Sequence, residues 1–158
     1  MIPHRPALAL AAGLILCGPL HAQLHDPHNT TCVAVRGTLV PECNAAICNQ
    51  GRVTGDLQGR FSSRVTSIYP AGSGWLYSSW TRFELDGKKG RIETADEGTM
   101  PPAADGGPDR AQAAQLLVLS EATGKYQDYS GTLVMTGGHA IGQATAYSGR
   151  LCRRMAPG

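Results

Sequence analysis

The sequence predicts an all-β protein, a small eight-stranded antiparallel barrel, on three observations. Short runs rich in β-branched and aromatic residues recur along the chain, glycine-bearing turns divide them, and no stretch keeps a helical period long enough to hold a helix.

The eight strands are expected, in order, over residues 33–40, 52–57, 60–68, 75–85, 90–95, 115–121, 131–136 and 141–152. Asp86-Gly87 and Gly137-Gly138 supply the positive φ angles of tight hairpin turns, and Gly72 with Gly74 does the same after Pro70. The stretch from Asp96 to Arg110 holds Pro101-Pro102, Gly106-Gly107 and Pro108, so it reads as a long loop that is neither strand nor helix, followed by a helical turn over residues 109–115. In the last strand Ile141, Gln143, Thr145, Tyr147 and Leu151 share one face, and Gly142, Ala144, Ala146 and Ser148 share the other. A face of small residues suggests close packing inside a narrow barrel. Gln115-Leu116-Leu117-Val118-Leu119 is apolar on both faces, so the outside of strand 115–121 needs a cover: the long loop, a helical turn or another subunit. An apolar outer patch is expected around Leu117 and Leu119.

Ahead of the barrel, Arg5 is followed by an uncharged apolar run from Ala7 to Cys17, then Gly18-Pro19 and a small residue at Ala22. A run of about 11 residues suits a signal-peptide core and is too short to span a bilayer, so residues 1–22 are expected to be cleaved from an exported protein, periplasmic or secreted. Leu14-Ile15-Leu16 lacks the small residue that lipid attachment at Cys17 would require. Residues 23–31 read as a polar leader, 32–152 as the barrel domain and 153–158 as a tail. The remaining length of about 136 residues suffices for one domain with a real core. The whole chain carries a formal net charge of +2 and no basic run, which excludes nucleic acid as a partner, and no membrane span is expected.

Cys32, Cys43, Cys48 and Cys152 remain after cleavage, an even set in a chain bound for an oxidising compartment, and are expected to form disulfides. Zinc is the competing reading, but Cys43 and Cys48 have no second close pair beside them. Cys32 opens the first strand and Cys152 closes the last, so antiparallel closure brings them to one end and a bridge there staples the seam. Cys43 and Cys48 then close a small local ring.

Function is less legible. No nucleophile motif, phosphate loop or dinucleotide fingerprint is present, no cofactor is expected, and no metal ligands are assigned. His139 falls in a glycine turn and is expected to be a solvated loop residue. A mature terminus Gln23-Leu24-His25 would set histidine third, where four nitrogens could hold Cu(II), although chance explains the spacing better. The strand from Trp75 to Glu84 holds both tryptophans: Trp75, Tyr77, Ser79, Thr81 and Phe83 share one face, Leu76, Ser78, Trp80, Arg82 and Glu84 the other. Whichever face points inward, a cavity would gain aromatic walls, so Trp75, Tyr77, Trp80, Arg82 and Glu84 are the candidate ligand-binding residues. The alternative is that the rings fill the core and Arg82 and Glu84 pair outside. Convergence of Arg82, Glu84, Asp56 and Glu93 inside would shift their pKa values and allow acid-base chemistry.

The segment from Ser120 to Leu133 resembles the signature of allene oxide cyclase-like and dirigent-like barrels, in which a glycine turn, a basic residue and an aromatic precede a further glycine and a strand. Thr123, Gly124, Lys125, Tyr126 and Gly131 match, whereas Glu121 and Ala122 stand where the family usually has glycine. The stretch from Val53 to Phe61 and the closing Tyr147-Ser148-Gly149-Arg150 are similar to those barrels too. The resemblance implies a barrel that holds a reactive apolar or phenolic ligand. Binding such a ligand is the preferred expectation, beside an isomerase or cyclase and a non-catalytic structural or partner-binding protein, and it places no catalytic residue.

Overall fold

The computed structural model describes residues 30–43, 49–137 and 143–154. Eight strands follow in order: β1 (Thr30–Pro41), β2 (Gln50–Gly55), β3 (Gly59–Ala71), β4 (Gly74–Leu85), β5 (Gly90–Met100), β6 (Ala114–Ala122), β7 (Tyr129–Thr136) and β8 (Thr145–Arg154). Each pairs antiparallel with the next and β8 returns to β1, so the sheet closes into a barrel. Closure removes the free edges that a small open sheet would leave. Two short 3₁₀ turns, Arg110–Gln112 and Gly124–Tyr126, complete the described elements, and no helix among the described residues is long and apolar enough to cross a membrane.

Three strands run past their expected ends by three residues or more. β1 begins at Thr30, inside the expected leader, because Thr30 and Thr31 pair with Arg154 and Arg153. β3 continues to Ala71 against β4. β5 continues through Met100, held between β4 and β6, so only residues 101–113 connect it to β6, with a 3₁₀ turn at Arg110–Gln112. β8 starts at Thr145, while Ile141 and Gly142 lie outside the described residues.

Inward residues follow the alternation of each strand. Phe61, Phe83 and Ile92 are register partners across β3, β4 and β5, and all three are buried. On β8 the buried face carries Thr145, Tyr147 and Leu151, so the small residues Ala146 and Ser148 line the outside rather than the interior. Gly37 on β1 leaves room for Tyr147: a Cβ there would overlap the Tyr147 ring and the Thr54 carbonyl. The Tyr147 hydroxyl takes the Leu57 amide at 2.9 Å and donates to the Thr54 carbonyl at 3.1 Å, fixing the β2–β3 turn. Burial pushes this hydroxyl up to about 12.

The outer patch is also displaced from its expected centre. Leu117 is buried and Leu119 packs on the core, while Leu116, Val118 and Val134 face outward, each more than 40% exposed. The seam holds the predicted staple: Cys32 and Cys152 are register partners on β1 and β8, joined as a disulfide with Cα atoms 4.0 Å apart. Cys43 is disulfide-bonded as well. Cys48 lies outside the described residues.

Candidate functional site

Along β4, β5 and β6 the interior reads apolar, polar, apolar. Phe83, Ile92 and Leu117 belong to the main core, and Tyr77, Met100 and Ala113 form a second small cluster with Trp75 against it. Between them lie Ser79, Thr81, Thr94, Asp96 and Gln115, all buried. This polar layer underlies the end of the barrel at which β4 begins.

At that end β2 starts at Gln50, opposite Ser62. Beyond Ser63, whose amide donates to the Asn49 carbonyl, β3 has only β4 as a paired strand among the described residues, while β4 stays paired with β5 as far as Trp75. A register shift between Val65 and Ser67 leaves Val65 opposite Ser79 and Ile68 opposite Tyr77, turning both aliphatic side chains to the inner side. Each is 43% exposed, which is high for a side chain on a concave face. They rim a cavity of about 150 Å³ whose apolar walls are Val65, Ile68, Tyr77 and Met100. Its polar groups are Asn49, Ser63, Ser79 and Arg110. Gly98 makes room for the Tyr77 ring, since a Cβ at that position would overlap it.

Behind the wall sits Asp96, 2% exposed. Its Oδ2 accepts from the Thr81 hydroxyl at 2.6 Å, Gln115 Nε2 at 3.0 Å and the Ser79 hydroxyl at 3.1 Å. Oδ1 is buried with no hydrogen-bond partner among the described residues. Burial therefore wins over the opposing hydrogen bonds from Thr81, Ser79 and Gln115, and it holds the carboxyl above the ordinary carboxylate value. The Tyr77 hydroxyl donates to Gln115 Oε1 at 3.2 Å, and burial, with the nearby Asp96 charge, raises its pKa as well.

A pH dependence follows from Asp96. Below the ordinary value of 3.8 both folded and unfolded chains hold the proton, and the group contributes nothing. Above it the unfolded chain loses the proton first, so stability falls as pH rises to the native value and stays low beyond. Each unit by which the native value is raised corresponds to about 1.4 kcal/mol. Urea unfolding from pH 3 to 8 is expected to show wild type losing stability relative to Asp96→Asn across that window. A pH-independent difference between the two would contradict the raised carboxyl.

Of the five sequence-predicted ligand residues, the structure brings Tyr77 to the cavity and Trp75 to the small cluster beside it. Trp80, Arg82 and Glu84 do not line the interior: strand alternation puts them on the outer face. There the Arg82 guanidinium lies 4.9 Å over the Trp80 ring and pairs with Glu93 at 2.9 Å and Glu84 at 3.8 Å. Asp56 caps the Arg36 amide at 2.9 Å, far in sequence and register from this group, so the four charged residues do not converge inside. His139 and residues 23–25 lie outside the described residues. Among the described residues no three His, Cys, Asp or Glu side chains gather into a metal site. Sequence reading missed Ser63, Asp96, Met100 and Gln115. Extending the inward alternation of Ile92 and Thr94 along β5 would have reached Asp96 and Met100.

The motif residues of the family resemblance have structural work. Gly124 has φ +65°, opening a 3₁₀ turn that sends Tyr126 into the core, and Gly131 lies too close to the Arg150 carbonyl for any Cβ. Comparison with protein-family models, with curated proteins and with solved structures finds no match to this chain.

Proposed function

We propose that this chain is an exported barrel that holds a small apolar or phenolic molecule in the cavity beneath the β3–β4 hairpin. The observation that carries the reading is the cavity itself, bounded by the half-exposed Val65 and Ile68 above a buried polar layer. A volume of about 150 Å³ suits a single ring: apolar cavities of about that size take up benzene. A ligand there would cover the two aliphatic side chains, and apolar walls with a few polar anchors are the usual composition of a binding site. Export is supported by the seam disulfide, which persists in oxidising compartments.

A second reading, an isomerase or cyclase of the allene oxide cyclase-like or dirigent-like type, is favoured by one feature: the cavity hydroxyl of Ser79 is bonded directly to a buried carboxyl. Self-association through Leu116, Val118 and Val134 is compatible with either reading.

Isothermal titration with toluene and with phenol tests the site. One saturable site per chain is expected, and Val65→Trp, which fills the rim from a half-exposed position, should weaken binding ~10-fold or more while the thermal midpoint changes little. Failure of both probes to bind the wild-type protein would end the ligand reading.

A further inference from the structure

Among the described residues, Arg110 is the one charged side chain at the cavity lining, and no carboxylate lines the same space. It is exposed and sits on the β5–β6 connection, so it belongs to the rim. Its guanidinium has no ion pair or hydrogen bond among the described residues. The adjacent carboxylate, Asp109, is taken up by its own turn: Oδ1 accepts the Ala111 amide at 2.9 Å and Oδ2 accepts Gln112 Nε2 at 3.0 Å. Two neutral donors share the lining. The Asn49 carbonyl takes the Ser63 amide at 2.6 Å, which ties Asn49 to β3, and the Asn49 side-chain amide makes no hydrogen bond among the described residues. Ser63 Oγ accepts from Thr81 Oγ1 at 3.1 Å and keeps its own proton uncommitted. The inner end has the opposite character. Ser79 already donates to Asp96 Oδ2 at 3.1 Å and Tyr77 to Gln115 Oε1 at 3.2 Å, so an anion pressed inward would meet a buried carboxyl and no available proton.

We infer that the cavity takes a ring-sized monocarboxylate, with its apolar body against Val65, Ile68, Tyr77 and Met100 and its carboxylate at the rim on Arg110. The inference rests on the cavity being the binding site and names the class of ligand. A volume of about 150 Å³ is filled by a single ring, so the head group is left at the mouth. There it keeps part of its hydration, and a guanidinium meets a carboxylate with two parallel N–H bonds. Asn49 and Ser63 supply further donors. One cation matches one negative charge, which favours a carboxylate over a doubly charged phosphate ester. A neutral ring would use the same walls and leave Arg110 unpaired.

Calorimetry with benzoate, its neutral isostere benzamide, and toluene separates the head group from the ring. Benzoate is expected to bind roughly five- to fifty-fold more tightly than benzamide, the span between an exposed ion pair and a charge-assisted hydrogen bond. Arg110→Gln, at an exposed position, should remove that preference and leave toluene unchanged, whereas Arg110→Lys should keep part of it. Raising NaCl to about 0.5 M should weaken benzoate alone. Val65→Trp should weaken benzoate and toluene together, which ties the anion to this cavity. Benzoate binding no tighter than benzamide, a preference that survives Arg110→Gln, or benzoate binding that Val65→Trp leaves intact would each overturn the inference, and toluene binding would then keep the cavity as a site for neutral rings. No binding by any probe would overturn both.

Discussion

Replacing Cys32 and Cys152 together by serine is expected to destabilise the barrel by about 4–5 kcal/mol, the loop-closure value for a ring of this size. The two residues are 120 apart in sequence, so their bridge encloses almost the whole domain. They are also register partners at the β1–β8 seam, the pairing that joins the ends of the chain and is the most expensive in loop entropy to form. Without the bridge, strand pairing and the core packing of Val35, Tyr147 and Leu151 are left to oppose opening of the seam. Mutation is the proper test, because reduction would also break the second disulfide, the one at Cys43. Urea unfolding of the double variant against wild type measures the effect, and a loss under about 1 kcal/mol would mean that strand pairing and side-chain packing hold the seam without the bridge.

What the sequence made legible was whatever depends on local chemistry. Glycine turns and alternating residues place all eight strands in order, and the cysteines at the two ends of that series identify the seam. The part that stayed hidden depends on neighbours. Ala95-Asp96-Glu97-Gly98-Thr99 is poor in β-forming residues, yet it is strand because β4 and β6 flank it on both sides. Reading that stretch as loop removed Asp96 from consideration, and with it the polar layer to which Ser79, Thr81 and Gln115 belong. The cavity had no local signature either. It arises where β2 starts short of the β3–β4 hairpin, a mismatch of strand lengths that no single segment encodes.

The direction of β4 was the other open choice, since both of its faces carry aromatic rings, and two substitutions on that strand test the structure's answer. Phe83→Ala is expected to cost about 3–5 kcal/mol, because Phe83 is fully buried and its removal leaves a void that the barrel cannot collapse to fill. Its flanking partners are Phe61 and Ile92, held by strand register on either side. Phe61→Ala should cost a similar amount. The double variant should lose less than the sum, since each single change already removes their shared contact. Trp80→Ala, three residues earlier in β4, removes a larger ring but one that lies on the outer face under Arg82. It should cost about 1 kcal/mol or less, the scale of a partly exposed cation–π contact. Denaturant midpoints for these variants therefore rank the two faces of the strand, and a greater loss from Trp80→Ala than from Phe83→Ala would reverse which one fills the barrel.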